Sequence, residues 1–146
     1  MEDVNNMLIR RPVFDPWNDA AEIGRILARP SGQLIVVLGA EAWCEKCQSL
    51  KSSFEELALQ APTHVVMLWL DLEEHAEFLG DYIPDSLPEL CIYQRGMLVT
   101  KALLDGTEQS LHEAVTATHD AKSLVGDDPK IFERLVRQDW AQSSGV

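Results

Sequence analysis

Cys44 and Cys47, separated by only Glu45 and Lys46, are the residues whose type and spacing could do chemistry in this chain. They stand in Glu41-Ala42-Trp43-Cys44-Glu45-Lys46-Cys47, directly after the apolar run Leu34 to Leu38 and directly before a long amphipathic segment. From Cys47 onward Leu50, Phe54, Leu57, Ala58 and Ala61 recur at helical spacing, which puts Cys47 on the buried stripe of a helix. Cys44 then falls in the first turn, where unpaired backbone N–H groups and the helix dipole favour an anionic sulfur. A reactive thiolate and a shielded partner are thus built from one short motif, and the chemistry they suit is dithiol–disulfide exchange. Lys46 favours the Cys44 thiolate and Glu45 opposes it, so both tune the pair. A zinc site needs about four ligands, usually two such pairs, and no second pair exists. Cys91, inside an apolar strand, reads as a core cysteine rather than a third redox partner.

The elements that must position this pair follow from the hydrophobic pattern. Residues 1–19 form an arm with a short strand at Met7 to Arg10, interrupted by Pro12 and Pro16. Asn18 or Asp19 caps a helix through Ala21, Ile23, Ile26 and Leu27 that stops near Pro30. Leu34 to Leu38 and Val65 to Leu70 are unbroken apolar strands, the pattern of strands covered on both faces. The helix between them carries the cysteines and ends at Pro62. Asp71 closes the second strand, and Glu73 to Asp81 predicts a short helix with Ala76, Phe78 and Leu79 inward. The acidic cluster from Asp71 to Glu77 reads as its solvated start.

After Leu87-Pro88, Leu90 to Tyr93 and Met97 to Leu104 form a strand pair around Gly96, with Glu89 read as exposed. Gly106-Thr107 opens a helix with Leu111, Ala114, Val115 and Thr118 inward, on which His112 and His119 are surface residues. Asp128-Pro129 starts a last helix with Ile131, Leu135, Val136 and Trp140 as its apolar face. The order predicts an α/β fold: a central mixed β-sheet flanked by helices on both faces. One domain is expected over residues 1–146, with the core at 20–122 and an added C-terminal helix at 127–142.

Composition narrows the function classes. The chain has 146 residues, 46% of them hydrophobic, enough for one domain with its own core. Its 24 Asp and Glu against 12 Lys and Arg give a formal net charge of −12, a field that repels phosphate backbones and argues against nucleic acid as a partner. Met1-Glu2-Asp3-Val4 offers no basic region leading into an apolar one, and Val65 to Leu70 is too short to span a bilayer. The expectation is a cytoplasmic protein with no membrane partner. In a reducing compartment three cysteines argue against a disulfide scaffold, and C-x-x-C reads as redox chemistry.

The apolar strand, Trp43-Cys44-x-x-Cys47, the amphipathic helix, Asp71, Leu87-Pro88 and Gly96 together resemble the thioredoxin family, over roughly Ala20 to Thr118. The resemblance implies a thioredoxin fold and a thiol–disulfide oxidoreductase that reduces protein disulfides. Cys44 would be the nucleophile, Cys47 the resolving cysteine, Pro88 a cis proline, and Trp43, Leu87 and Pro88 the substrate-binding surface. No cofactor is implied beyond the redox-active Cys44–Cys47 disulfide. The partners would be protein substrates with disulfides and an external reductase or dithiol. Departures from the family pattern are Glu45-Lys46 in place of Gly-Pro, Leu38 in place of a buried acid, Met67 in place of a nearby lysine, and Ser52 in place of a helix-kinking proline. An apolar wall at Leu38 would slow resolution by Cys47. The rival reading is a binding or chaperone-like module that holds a partner between Trp43 and Pro88, with redox activity weak or dispensable.

Overall fold

Strands that are apolar on every residue can only be stable when both faces are covered, and this requirement sets the architecture. The structure, a computed structural model, describes residue 14, residues 19–75, 79, 82, 84, 86–116 and 128–137. Four strands, β1 (Gln33–Gly39), β2 (Val65–Asp71), β3 (Glu89–Gln94) and β4 (Met97–Leu103), make one sheet in the order β2-β1-β3-β4. β1 runs parallel to β2 and antiparallel to β3, which pairs antiparallel with β4. Phe14 adds an isolated parallel bridge to Leu68 on β2.

Alternation along β1 divides the core in two. Leu34, Val36 and Leu38 pack with Ile23, Ile26 and Leu27 of α1 (Ala20–Leu27) and with Ile131 and Leu135 of α4 (Ile131–Arg137). Ile35 and Val37 pack instead with Cys47, Leu50 and Phe54 of α2 (Glu45–Leu59) and with Leu111 of α3 (Glu108–Thr116). This is the expected mixed sheet with helices on both faces. The β3–β4 turn places Arg95 and Gly96 at φ 54° and 79°, the left-handed pair that a tight hairpin needs. Asp105 accepts from the Thr107 hydroxyl (2.6 Å) and N–H (2.9 Å) before α3, and these hydrogen bonds hold its carboxyl at about 2.

Several boundaries differ from the sequence reading for local reasons. α2 stops at Leu59 rather than at Pro62, since proline disfavours helical backbone in the residue before it. It runs unbroken through Ser52. Residues 72–75 run in turns and buried Leu79 is helical, while the other positions of the expected 73–81 helix lie outside the described residues, as do the Met7 to Arg10 strand, Thr118, His119 and Trp140. On α4 the apolar face is narrower than expected: Ile131 and Leu135 are buried, but Val136 is 38% exposed. Phe132 stacks on Tyr93 (ring centroids 5.9 Å apart) instead, and the Tyr93 hydroxyl donates to Asp128 at 2.6 Å.

Because Leu135 packs against the α1 face of the sheet, away from the cysteines, Leu135→Ala should cost about 2–5 kcal/mol of stability. Disulfide turnover per folded molecule should be nearly unchanged. Urea unfolding alongside an activity assay checks both; lost turnover in a fully folded variant would place α4 in the site.

Candidate active site

β1 ends at Gly39, and the chain turns through residues 40–43 before entering α2. The N–H groups of Trp43 (3.3 Å) and Cys44 (2.9 Å) both donate to the Ala40 carbonyl, which tightens this turn. Cys44 is the helix N-cap, with extended backbone at φ −106° and ψ 104°. Its sulfur accepts from the Cys47 N–H at 3.2 Å, the position usually taken by a serine or aspartate oxygen. Cys44 is half-buried and Cys47 is completely buried, so the first turn presents one sulfur outward and hides the other. The two are joined in a disulfide, with their Cα atoms 5.2 Å apart.

The turn before Cys44 is tied from two elements. Asp71, at the end of β2, accepts from the Glu41 N–H (2.8 Å) and from the N–H groups of Glu73 and Glu74 (both 3.0 Å), while its own N–H donates to His75 Nδ1 (2.9 Å). Burial works to raise the Asp71 carboxyl, but the N–H groups of Glu41, Glu74 and Glu73 outweigh it and hold it below the ordinary value. From α2, Gln48 donates its side-chain amide to the Glu41 carbonyl, and Lys51 pairs with the Glu41 carboxylate at 2.8 Å. Sequence reasoning placed Asp71 in a solvated acidic cluster; it is buried, because its carboxylate is consumed by backbone donors.

The Leu87–Pro88 peptide bond is cis, and the Pro88 carbonyl accepts from the Leu104 N–H at 2.9 Å. Beside Cys44 opens a groove of about 640 Å³, lined by Trp43, Cys44, Glu45 and Lys46 together with Leu72, Pro84, Ser86 and Leu87. Trp43 is 63% exposed there. The expected site residues Trp43, Cys44, Glu45, Lys46 and Leu87 therefore share one surface, with Pro88 adjoining it and Cys47 beneath. Gly106, at φ 90°, lies so close that a Cβ would stand 2.9 Å from the Lys46 Cβ and 3.0 Å from its Cα. The loop before α3 is packed onto the first turn of α2, a role the sequence reading, which saw only a helix opener, did not give it. Among the described residues no group of three or more His, Cys, Asp or Glu is placed to hold a metal ion. No helix among them is long and apolar enough to cross a membrane.

The thioredoxin family model matches residues 20–117. The chain belongs to the thioredoxin family. Among curated relatives, an H-type thioredoxin of Fagopyrum esculentum is 26% identical over 97 residues, covering 66% of this chain and 79% of that protein. Among solved structures, the germline-specific thioredoxin Deadhead of Drosophila melanogaster has the same fold, with a TM-score of 0.53 at 21% identity over 67% of this chain and 90% of that one. Thioredoxin-family membership and the Cys44–Cys47 disulfide together support thiol–disulfide oxidoreductase activity in general.

Two readings of the sequence look different in three dimensions. Leu38, expected behind Cys47, faces the α1 side of the sheet, because strand parity sends it with Leu34 and Val36. The apolar wall on the Cys47 side is built from Val37, Met67 and Trp69. Glu89 is buried rather than exposed: only 9% of it is accessible, it accepts from the Tyr82 hydroxyl, and it has Lys101 Nζ at 4.0 Å. An acid at the head of an apolar strand was the signal, since burial demands such partners. Cys91 is a fully buried core thiol, pushed well above its ordinary value by burial and then by the Glu89 charge.

Asp71→Asn should lower stability at neutral pH by about 1–3 kcal/mol, since one carboxylate oxygen acting as an acceptor is lost. A depressed folded value means that the carboxylate's contribution is complete above the unfolded value of about 3.9 and vanishes as pH falls through the folded one. The gap between wild type and variant, read from unfolding curves, should therefore close only in that acidic window. A gap constant down through it would deny the role given to the charge.

Proposed function

We propose that this thioredoxin-family protein reduces disulfides in protein substrates through a Cys44/Cys47 dithiol. The observation that carries the reading is the asymmetry of the pair: a half-buried sulfur at the helix N-cap, beside a groove, bonded to a completely buried one. In the reduced protein the Cys44 thiolate attacks a substrate disulfide. A Cys44–substrate bond forms, the substrate S–S bond breaks, and one substrate thiolate leaves and takes a proton. Cys47, after losing its proton, attacks the Cys44 sulfur. The mixed disulfide breaks, the second substrate thiolate leaves, and two electrons have passed from the cysteine pair to the substrate.

An external reductase or dithiol restores the pair, so the cycle uses no bound cofactor. Trp43 and Leu87 supply apolar contact for an extended substrate segment, with cis Pro88 next to it. Lys46 and Glu45 act on the thiolate in opposite senses. The reducing setting this cycle suits is the cytoplasm, in keeping with a chain that uses only three cysteines.

The purified protein with a small dithiol as electron source should reduce an accessible protein disulfide catalytically. Cys44→Ser should abolish turnover, while Cys47→Ser should accumulate a mixed disulfide at Cys44, visible by mass spectrometry under non-reducing conditions. Absence of turnover with retained capture of partner proteins by the double cysteine variant would favour a binding or chaperone-like module instead.

A further inference from the structure

Among the described residues, the only buried side-chain nitrogen or oxygen without a hydrogen-bond partner is Trp69 Nε1. An indole N–H left unpaired in a protein interior is costly, and a specific case calls for a reason. Trp69 lies on β2 opposite Val37 of β1, is 5% exposed, and packs on the α2 side of the sheet with Phe54, ring centroids 5.7 Å apart. Gly39 locates its edge. A Cβ at Gly39 would stand 2.9 Å from Trp69 Cζ2 and 3.2 Å from Cys47 Sγ. The indole edge and the buried sulfur thus approach one point from two sides, and Cζ2 is bonded to the carbon that carries Nε1. A glycine at this place in an apolar strand leaves the room for that approach.

We propose that Trp69 is the hydrogen-bond donor that stabilises the Cys47 thiolate: its N–H, unpartnered while the cysteines are joined, pairs with the Cys47 sulfur once the disulfide opens and that sulfur ionises. The inference rests on the resolving role given to Cys47 above. Its chemistry adds no proton acceptor. The Cys47 proton leaves to solvent, and the indole keeps its own while donating to the anion, which then attacks the Cys44 sulfur and expels the substrate thiolate.

The need is set by the surroundings. Val37, Met67 and Leu90 make the environment of Cys47 apolar, and desolvation opposes a thiolate there. The charged groups on the elements packed around it have other partners or lie outward. Glu41 in the turn before α2 is paired with Lys51, whose ammonium is 6.0 Å from the Trp69 ring centroid. Asp71 at the end of β2 is engaged by three backbone N–H groups. Glu45 and Lys46 on α2 are exposed and line the groove, and Asp105, before α3, is exposed and bonded to Thr107. β1 and β3 present no charge on this face. Among the described residues the indole N–H is the donor left to oppose the desolvation of the thiolate.

The test is an NMR titration of Cys47 Cβ in the reduced protein, for wild type, Trp69→Phe, and a variant carrying benzothienylalanine at position 69. That analogue keeps the indole's shape but has sulfur in place of the N–H, so it remains informative if the smaller ring of Trp69→Phe fails to support folding. Loss of one hydrogen bond to a charged sulfur should lower the Cys47 thiolate fraction about tenfold near neutral pH, an upward shift of about one pH unit. Decay of a preformed Cys44 mixed disulfide should slow by a similar factor, while alkylation of Cys44 stays unchanged. An unmoved Cys47 titration in the folded variants would overturn the proposal. The titration needs no substrate, so a protein that failed to reduce disulfides would refute the functional reading while Cys47 still decided the role of Trp69.

Discussion

Asp71 fastens the turn that feeds α2, and the rest of the site depends on that attachment. Its carboxylate takes the Glu41 N–H from one segment and the N–H groups of Glu73 and Glu74 from another. Backbone donors at two chain reversals converge on one buried anion, so the entry to α2 and the exit from β2 cannot move independently. With the turn fixed, Cys44 arrives in extended conformation at the N-cap and Cys47 one turn later, on the stripe with Leu50 and Phe54. Glu41, tied further by Gln48 and Lys51, adds a connection from the helix back to its own approach.

The chemical asymmetry of the cysteines then follows without special devices. The helix N-terminus offers its unpaired N–H groups and positive dipole end to the N-cap sulfur, while the second sulfur, a turn deeper, meets an apolar wall. Helix position favours one thiolate and burial disfavours the other. The proposed cycle uses that difference to separate an attacking cysteine from a resolving one. Gly106 closes on the first turn of α2 at Lys46, and the groove between Trp43 and Leu87 gives the outward sulfur its access.

Much of this was legible in the sequence, for physical reasons that also explain the failures. β1 and β2 announced themselves because a strand covered on both faces must be apolar throughout, and the cysteine helix because its stripe repeats from Cys47. Leu38 was misplaced because position along the chain does not reveal which face a residue takes in a strand that is apolar on both; only the alternation seen against α1 and α2 decides it. Asp71 and Glu89 were read as solvated because charge usually is. Their burial depends on partners distant in sequence or hidden in turns, Glu41 for one and Lys101 for the other. Trp69 looked like ordinary core in a strand, and its unsatisfied N–H appears only when the space left by Gly39 is seen.

The central claim is that the fold makes Cys44 the reactive thiol and Cys47 the sheltered one. Alkylation of the fully reduced protein over a range of pH, with each cysteine followed by peptide mapping, addresses it most directly. Cys44 should be modified first, with a rate profile whose midpoint lies below the free-thiol value of about 8.5, and the buried Cys47 and Cys91 should lag far behind it. Faster modification of Cys47 or Cys91 than of Cys44 would contradict the account.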